Sequence, residues 1–292
     1  MISTLNILQA NLHKSPGVQD ALYNDPVIWD FDANLIQEPH YWEIAGNLQI
    51  TGAGPNFEVM KPKTTQRENQ TQRIRSYMWM NRNNGYAQIT IDSNDITAIV
   101  MKHGTRSILL ASTYIPSIGN GHELDKQELH TRLQEVQEVI TRECSDNPDL
   151  EIFIAGDFNR HDIIWGGNGV ALGTRQREGS RILDSIEENN QQLLTQRGVP
   201  TRERNDSTST IDLIMASERL SEDRDICQPF KNEYSSDHRA IHTAIGMGDM
   251  IEDPTAPRYL LQKADWKAIR DKIGQPLADI PFPTDNLEAM QS

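Results

Sequence analysis

Cysteine is nearly missing from this chain of 292 residues, with Cys144 and Cys227 the two present. Two thiols so far apart build neither a disulfide scaffold nor a zinc finger, and a reducing, intracellular location is the simplest expectation. No stretch approaches the roughly 18 unbroken apolar residues of a membrane helix. The opening Met1-Ile2-Ser3-Thr4-Leu5 has neither the basic start nor the long apolar run of a secretory leader, so neither a leader nor a membrane partner is expected. Basic side chains are also scarce: 28 Lys and Arg against 42 Asp and Glu leave a net charge of −14. That balance excludes a protein that coats nucleic acid or anionic membrane by bulk attraction. It leaves room for an enzyme with a local basic strip.

What the chain does have is a series of short, β-branched apolar runs. They fall at 4–10, 33–36, 76–80, 86–91, 96–101, 107–115, 151–155, 211–215 and 238–245, with Gly, Pro, Asn or Asp in most of the gaps. Helical periodicity is clearest over 123–144, where Leu124, Leu129, Leu133, Val136 and Ile140 recur on one face. Shorter helices fit 181–192 and 17–31, the latter broken or kinked at Pro26. Strands interspersed with helices predict an α/β architecture. The texture changes near residue 246, which predicts one domain over 1–246 and a weakly structured tail or linker over 247–292, including an amphipathic stretch at 260–273.

Polar residues stand at the ends of several predicted strands, where a rigid sheet would deliver them to one edge. They are Asn11, Glu38, Tyr114, Asp157, Asn159, Asp212, Asp237 and His238. Four carboxylates crowded together raise one another's pKa unless a cation sits among them. An oxygen-rich set without cysteine suits a hard ion, Mg²⁺ or Mn²⁺. Such an ion with one histidine fits attack of water on a phosphate ester. Singly, each motif reads as well as a turn, a helix cap or a half-buried aromatic.

The ordered set resembles the endonuclease/exonuclease/phosphatase superfamily. The matching segments are Gln9-Ala10-Asn11, Gln37-Glu38-Pro39, Thr113-Tyr114-Ile115-Pro116, Gly156-Asp157-Phe158-Asn159, Ser209-Thr210-Ile211-Asp212-Leu213 and Ser235-Ser236-Asp237-His238. Within it the chain looks most like the endonuclease domain of non-LTR retrotransposons. Asn11-Leu12-His13-Lys14-Ser15, Asn159-Arg160-His161 running into Ile164-Trp165-Gly166-Gly167, and Leu193–Thr201 carry that likeness. The resemblance implies a four-layered α/β/β/α sandwich, DNase I-like, and a DNA endonuclease that nicks one strand, leaving 3′-hydroxyl and 5′-phosphate ends. It implies Glu38, Asn11 and Asp237 at the metal, Asp157 activating water with Asn159 beside it, His238 oriented by Asp212, and Tyr114 on the phosphate or leaving oxygen. His13 stands where several relatives carry an acidic residue, so metal coordination is expected to lean on Glu38.

DNA would lie along three basic segments, 61–82 at +5, 160–181 at +2 and 197–204 at +2 by count of charged residues. Thr201, Ser236, Arg160, Arg73 and Arg75 are the expected DNA contacts, and the location is nuclear where the substrate is chromosomal. No obligate protein partner is expected. The alternatives are a hydrolase of small phosphoesters on the same scaffold and a non-catalytic remnant that binds nucleic acid.

Overall fold

A computed structural model describes residues 2–44, 47–50, 56–62, 73–117, 122–169, 179–205 and 207–249. In chain order the strands begin with β1 (Ile2–Asn11), β2 (Ala33–Gln37), β3 (Tyr41–Ile44), β4 (Asn47–Ile50), β5 (Phe57–Met60), β6 (Ser76–Asn81), β7 (Gly85–Ile89) and β8 (Ile96–His103). They continue with β9 (Arg106–Tyr114), β10 (Glu151–Asp157), β11 (Gln191–Leu193), β12 (Arg202–Arg204), β13 (Ser207–Ser209), β14 (Asp212–Ser217), β15 (Arg224–Pro229) and β16 (Ile241–Asp249). The α-helices are α1 (Pro16–Tyr23), α2 (His122–Asp146), α3 (Ile163–Gly166), α4 (Ser180–Glu188) and α5 (Glu218–Glu222).

Two six-stranded sheets result, ordered β15-β16-β1-β2-β6-β5 and β11-β14-β10-β9-β8-β7. Each has one parallel pair at its centre, β1 with β2 and β9 with β10, and the other pairs are antiparallel. Parallel neighbours need a crossover, and α1 and α2 provide them. The crossovers place the C-terminal ends of each pair side by side: Asn11 opposite Gln37 and Asp157 opposite Tyr114.

Strand alternation sorts the side chains into three apolar layers. Leu5, Ile7, Leu35, Met78, Ile99, Leu110, Phe153 and Ile214 fill the space between the sheets. Leu129, Val136 and Ile140 of α2, with Ile182 of α4, pack on Ile96, Leu109, Ile152 and Met215. Val18 and Leu22 of α1 pack on Leu8, Ala10, Ile36 and Trp79. Three apolar layers between four layers of elements make the α/β/β/α sandwich. Beside α5, Arg106 is buried with Glu151, donating from Nε to Oε1 at 2.6 Å, and reaches Asp223 at 2.7 Å. The pair ties the first residues of β9 and β10 together.

The expected helix over 17–31 divides, because Pro26 cannot donate to a continuing helix. α1 stops at Tyr23 and Asp25 caps a 3₁₀ turn over Pro26–Asp30. The helix expected over 181–192 ends early because Gln191 onward pairs with β14 as a strand. β16 continues to Asp249, three residues past the expected boundary at 246. The predicted tail from residue 250 lies outside the described residues. No helix among the described residues is long and apolar enough to cross a membrane.

Candidate active site

The site arises where the alternation that builds the inter-sheet core turns from apolar to polar. In β1 the inward series runs Leu5, Ile7, then Gln9 and Asn11; in β2 it runs Leu35, then Gln37. In β9, Ile108 and Leu110 give way to Ser112 and Tyr114, and in β10 Phe153 and Ala155 give way to Asp157. β14 runs the other way, so Asp212 leads Ile214 and Ala216. Both sheets are thus polar at one pole. Hydrogen bonds cross the gap there: Gln37 Nε2 to Ser112 Oγ at 2.9 Å, Gln9 Nε2 to Asp212 Oδ1 at 3.1 Å, and Asn11 Nδ2 to Asp157 Oδ2 at 2.9 Å.

Asp157 is fully buried and held in one orientation. Oδ2 accepts from Asn11 and from Asn159 Nδ2 at 2.8 Å, and Oδ1 from the Asn159 N–H at 2.9 Å. Asn159 adopts φ +47°, a left-handed conformation that asparagine tolerates. Burial, and after it the nearby Asp212 charge, push the Asp157 carboxyl above its usual range. The His238 imidazole sits between the two carboxylates, with Nδ1 2.9 Å from Asp212 Oδ2 and Nε2 3.9 Å from Asp157 Oδ2. Burial alone would lower the imidazole, but the Asp212 charge and hydrogen bond, with Asp157 and Asp237, outweigh it and raise it to about 9. Nε2 therefore points a protonated nitrogen past Asp157. Asp157, Asp212 and His238 offer ligand atoms all within 4.8 Å of one another.

Glu38 and Tyr114 close one side. The Tyr114 hydroxyl hydrogen-bonds Glu38, and burial, reinforced by the Glu38 and Asp157 charges, raises the phenol far above its ordinary value. It remains a proton donor. Glu38 stands at φ +47° with Lys14 Nζ 2.6 Å from Oε1. Asp237 lies on the other side, its Oδ2 bound by Arg202 Nε at 3.1 Å and its buried Oδ1 accepting no hydrogen bond. An orphaned, buried carboxylate oxygen at this pole fits a divalent cation held by oxygens. Asn11 is engaged at both ends of its amide, since Oδ1 accepts from the His13 N–H at 2.8 Å.

Residues 108–242 match the family described as endonuclease-reverse transcriptase. No curated protein matches the chain in sequence. Among solved structures, the endonuclease domain of TRAS1, a telomere-specific non-LTR retrotransposon, superposes with a TM-score of 0.63 at 18% identity, covering 82% of this chain and 98% of that one. The AP endonuclease LMAP from Leishmania major also gives 0.63, at 12% identity and with 83% and 88% covered. The APE2 catalytic domain of Xenopus laevis gives 0.57 at 13%, with 84% and 94% covered.

The described residues have the DNase I-like fold of these endonucleases.

In this scaffold the polar pole brings Asn11, Glu38, Tyr114, Asp157, Asn159, Asp212, Asp237 and His238 together. The expected DNA contacts divide. Arg73 is exposed. Arg75 bonds Asp95 through Nε and Nη2 at 2.5 and 2.7 Å and lies 5.3 Å over the Tyr114 ring. Arg160 is 2% exposed, donating to the Pro116 and Asn159 carbonyls, so its guanidinium faces inward and braces the Asp157 loop. Ser236 Oγ donates to the Asn11 carbonyl at 2.8 Å and accepts from the His238 N–H at 3.1 Å, which docks the histidine turn on β1. Of the basic segments, 63–72 and 170–178 lie outside the described residues, while Arg181, Arg197 and Arg204 are exposed.

Thr201 is also buried, and its hydroxyl accepts from the Ile211 and Asp212 N–H groups, both at 3.0 Å. It sets where Asp212 enters the site. Thr201→Val keeps the shape and leaves two buried donors unmade, which should cost about 2–4 kcal/mol at roughly 1–2 per donor. Urea unfolding checks this, with Thr201→Ser expected to stay near wild type.

The motifs assign no role to Ser112 or Asp95, nor to Gln9 and Gln37, which only open two of the matching segments. Gln9, Gln37 and Ser112 knit the sheets at the pole, and buried Asp95 binds Arg75 and Arg132. A signal existed for the glutamines: each occupies an inward position in an otherwise apolar alternation.

Proposed function

We propose that this protein is a divalent-metal-dependent DNA endonuclease that nicks one strand and leaves 3′-hydroxyl and 5′-phosphate ends. The observation that carries the reading is the buried Asp157–His238–Asp212 arrangement, in which the Asp157 carboxyl, pushed up by burial, lies 3.9 Å from Nε2 of an imidazole that Asp212 holds through Nδ1. A carboxyl that burial raises is a stronger base once ionised, and a cation bound at the pole would favour the ionised form. In this mechanism Asp157 orients a water molecule and accepts its proton while the water oxygen bonds to phosphorus. His238 Nε2 donates to a phosphoryl oxygen as negative charge grows there, and Asp212 fixes the ring through Nδ1. The bond from phosphorus to the 3′ oxygen breaks as that oxygen takes the phenol proton of Tyr114; Asp157 then releases the proton it took from water to solvent, from which Tyr114 is reprotonated. Glu38 and Asp237, next to Asn11, would hold Mg²⁺ or Mn²⁺, which offsets charge on the phosphoryl oxygens.

DNA as substrate is supported by the exposed Arg73, Arg181, Arg197 and Arg204 and by the TRAS1, LMAP and APE2 folds. With the chain strongly acidic elsewhere, binding should be weak and steeply salt-dependent. Supercoiled plasmid incubated with the protein and Mg²⁺, then treated with DNA ligase, tests the proposal. Nicked circles that the ligase closes directly, and none in EDTA, are expected. Absence of nicked circles, or nicks that ligase cannot close, would sink it; phosphate release from small phosphoesters in the same preparation would then favour the small-substrate alternative.

A further inference from the structure

His13 and Lys14 are consecutive non-glycine residues at φ +50° and +56°. Such backbone costs L residues energy and persists where surrounding bonds impose it. Here the His13 N–H donates to Asn11 Oδ1 and the Lys14 N–H to the Glu38 carbonyl, both at 2.8 Å. The turn hangs the His13 ring beside Asp237, with Nδ1 3.5 Å from Oδ1. That oxygen is the buried one with no hydrogen-bond partner, while His238 Nε2 faces it from 4.0 Å. A buried carboxylate oxygen left without a partner is costly. The separation is long for a hydrogen bond. It suits an ion between the two atoms, because ligand atoms about 2.1 Å from one centre lie about 3.4 Å apart at a tetrahedral angle.

We propose that His13 Nδ1 and Asp237 Oδ1 ligate one divalent ion, and that this nitrogen makes the site prefer a borderline transition ion over Mg²⁺. The inference rests on reading the pole as metal-dependent. Mg²⁺ favours oxygen ligands, whereas imidazole suits ions further along the first transition row. The His13 side chain is 55% exposed, so the ion would keep positions open toward solvent and a phosphoryl oxygen. Lys14 Nζ holds Glu38 at 2.6 Å on the other side of the same turn, so the two residues hold opposite flanks of the pole.

Co²⁺ is the probe, since it accepts imidazole and shifts the ring N–H proton of a bound histidine far outside the normal NMR range. On the full chain, calorimetry should show Co²⁺ binding at least about tenfold tighter than Mg²⁺. His13→Gly, which keeps the left-handed backbone, should weaken Co²⁺ by at least about tenfold, the loss that removing even an outer partner of a metal site can cause. It should also remove one shifted N–H signal that His238→Gln leaves in place, and His13→Asp should narrow the Co²⁺ to Mg²⁺ ratio. No Co²⁺ binding, or a shifted-proton spectrum unchanged in His13→Gly with its thermal unfolding intact, overturns the proposal. Neither readout uses turnover, so a protein that binds Co²⁺ through His13 and does not nick plasmid would refute the endonuclease reading alone.

Discussion

His238→Ala is expected to lower kcat for nicking by about 10²–10⁴-fold, the range that one positioned acid–base group supplies. Asp212→Asn should lose nearly as much while keeping the packing of a side chain that is fully buried. Asp212 acts mainly through the imidazole it holds at 2.9 Å and secondarily through the Asp157 carboxyl its charge raises, so the double variant should stay within about tenfold of His238→Ala. Losses that multiply would mean that Asp212 works elsewhere. The pH profile adds a signature. A histidine raised above its unfolded value contributes stability that is complete below about 6.5 and lost as pH rises through about 9. Activity that needs the protonated ring should fall over the same alkaline range, and in Asp212→Asn that limb should move toward neutral pH. Single-turnover rates on a short duplex, measured from pH 6 to 10 in each variant, provide the test.

Gly156→Ala should destabilise the fold severely. A Cβ on Gly156 would lie 1.7 Å from the Thr113 carbonyl oxygen and 2.7 Å from its carbon, both backbone atoms of the paired strand. β9 and β10 are interior strands, flanked by β8 and β14, so they cannot separate locally to make room. The expected cost is above about 3 kcal/mol, beyond ordinary overpacking of a core side chain. Because Gly156 precedes Asp157 and Thr113 precedes Tyr114, any partial accommodation would also pull two site residues apart. Urea unfolding and soluble yield report the first effect. An alanine variant within about 1 kcal/mol of wild type would show that the strands sit further apart than described.

Which strand ends carry polar side chains is legible in the sequence, because period-two alternation shows where an inward series such as Leu5, Ile7, Gln9, Asn11 changes character. Two parallel crossovers then place those ends at one pole. The inward turn of Arg160 and Thr201 is not legible, since an arginine after a strand looks the same whether its guanidinium meets phosphates or backbone carbonyls. Burial by long-range partners decides it, Pro116 for Arg160 and Asp212 for Thr201. The short strands β11, β12, β13 and β15 also escape a local reading. Their sequences are polar or irregular, as in Arg-Asp-Ile-Cys-Gln-Pro of β15, and distant partners define them. The lone Pro26, by contrast, marks its break correctly because the missing N–H is a local fact.

In the proposed mechanism the buried carboxylate at the end of β10 activates water against a DNA phosphodiester. Relaxation of supercoiled plasmid by equal amounts of wild type and Asp157→Asn, in Mg²⁺ and with circular dichroism confirming the fold, tests it most directly. Nicked circles from wild type and a rate at least about 10²-fold lower from the variant are expected. Equal rates from the two proteins would contradict that mechanism.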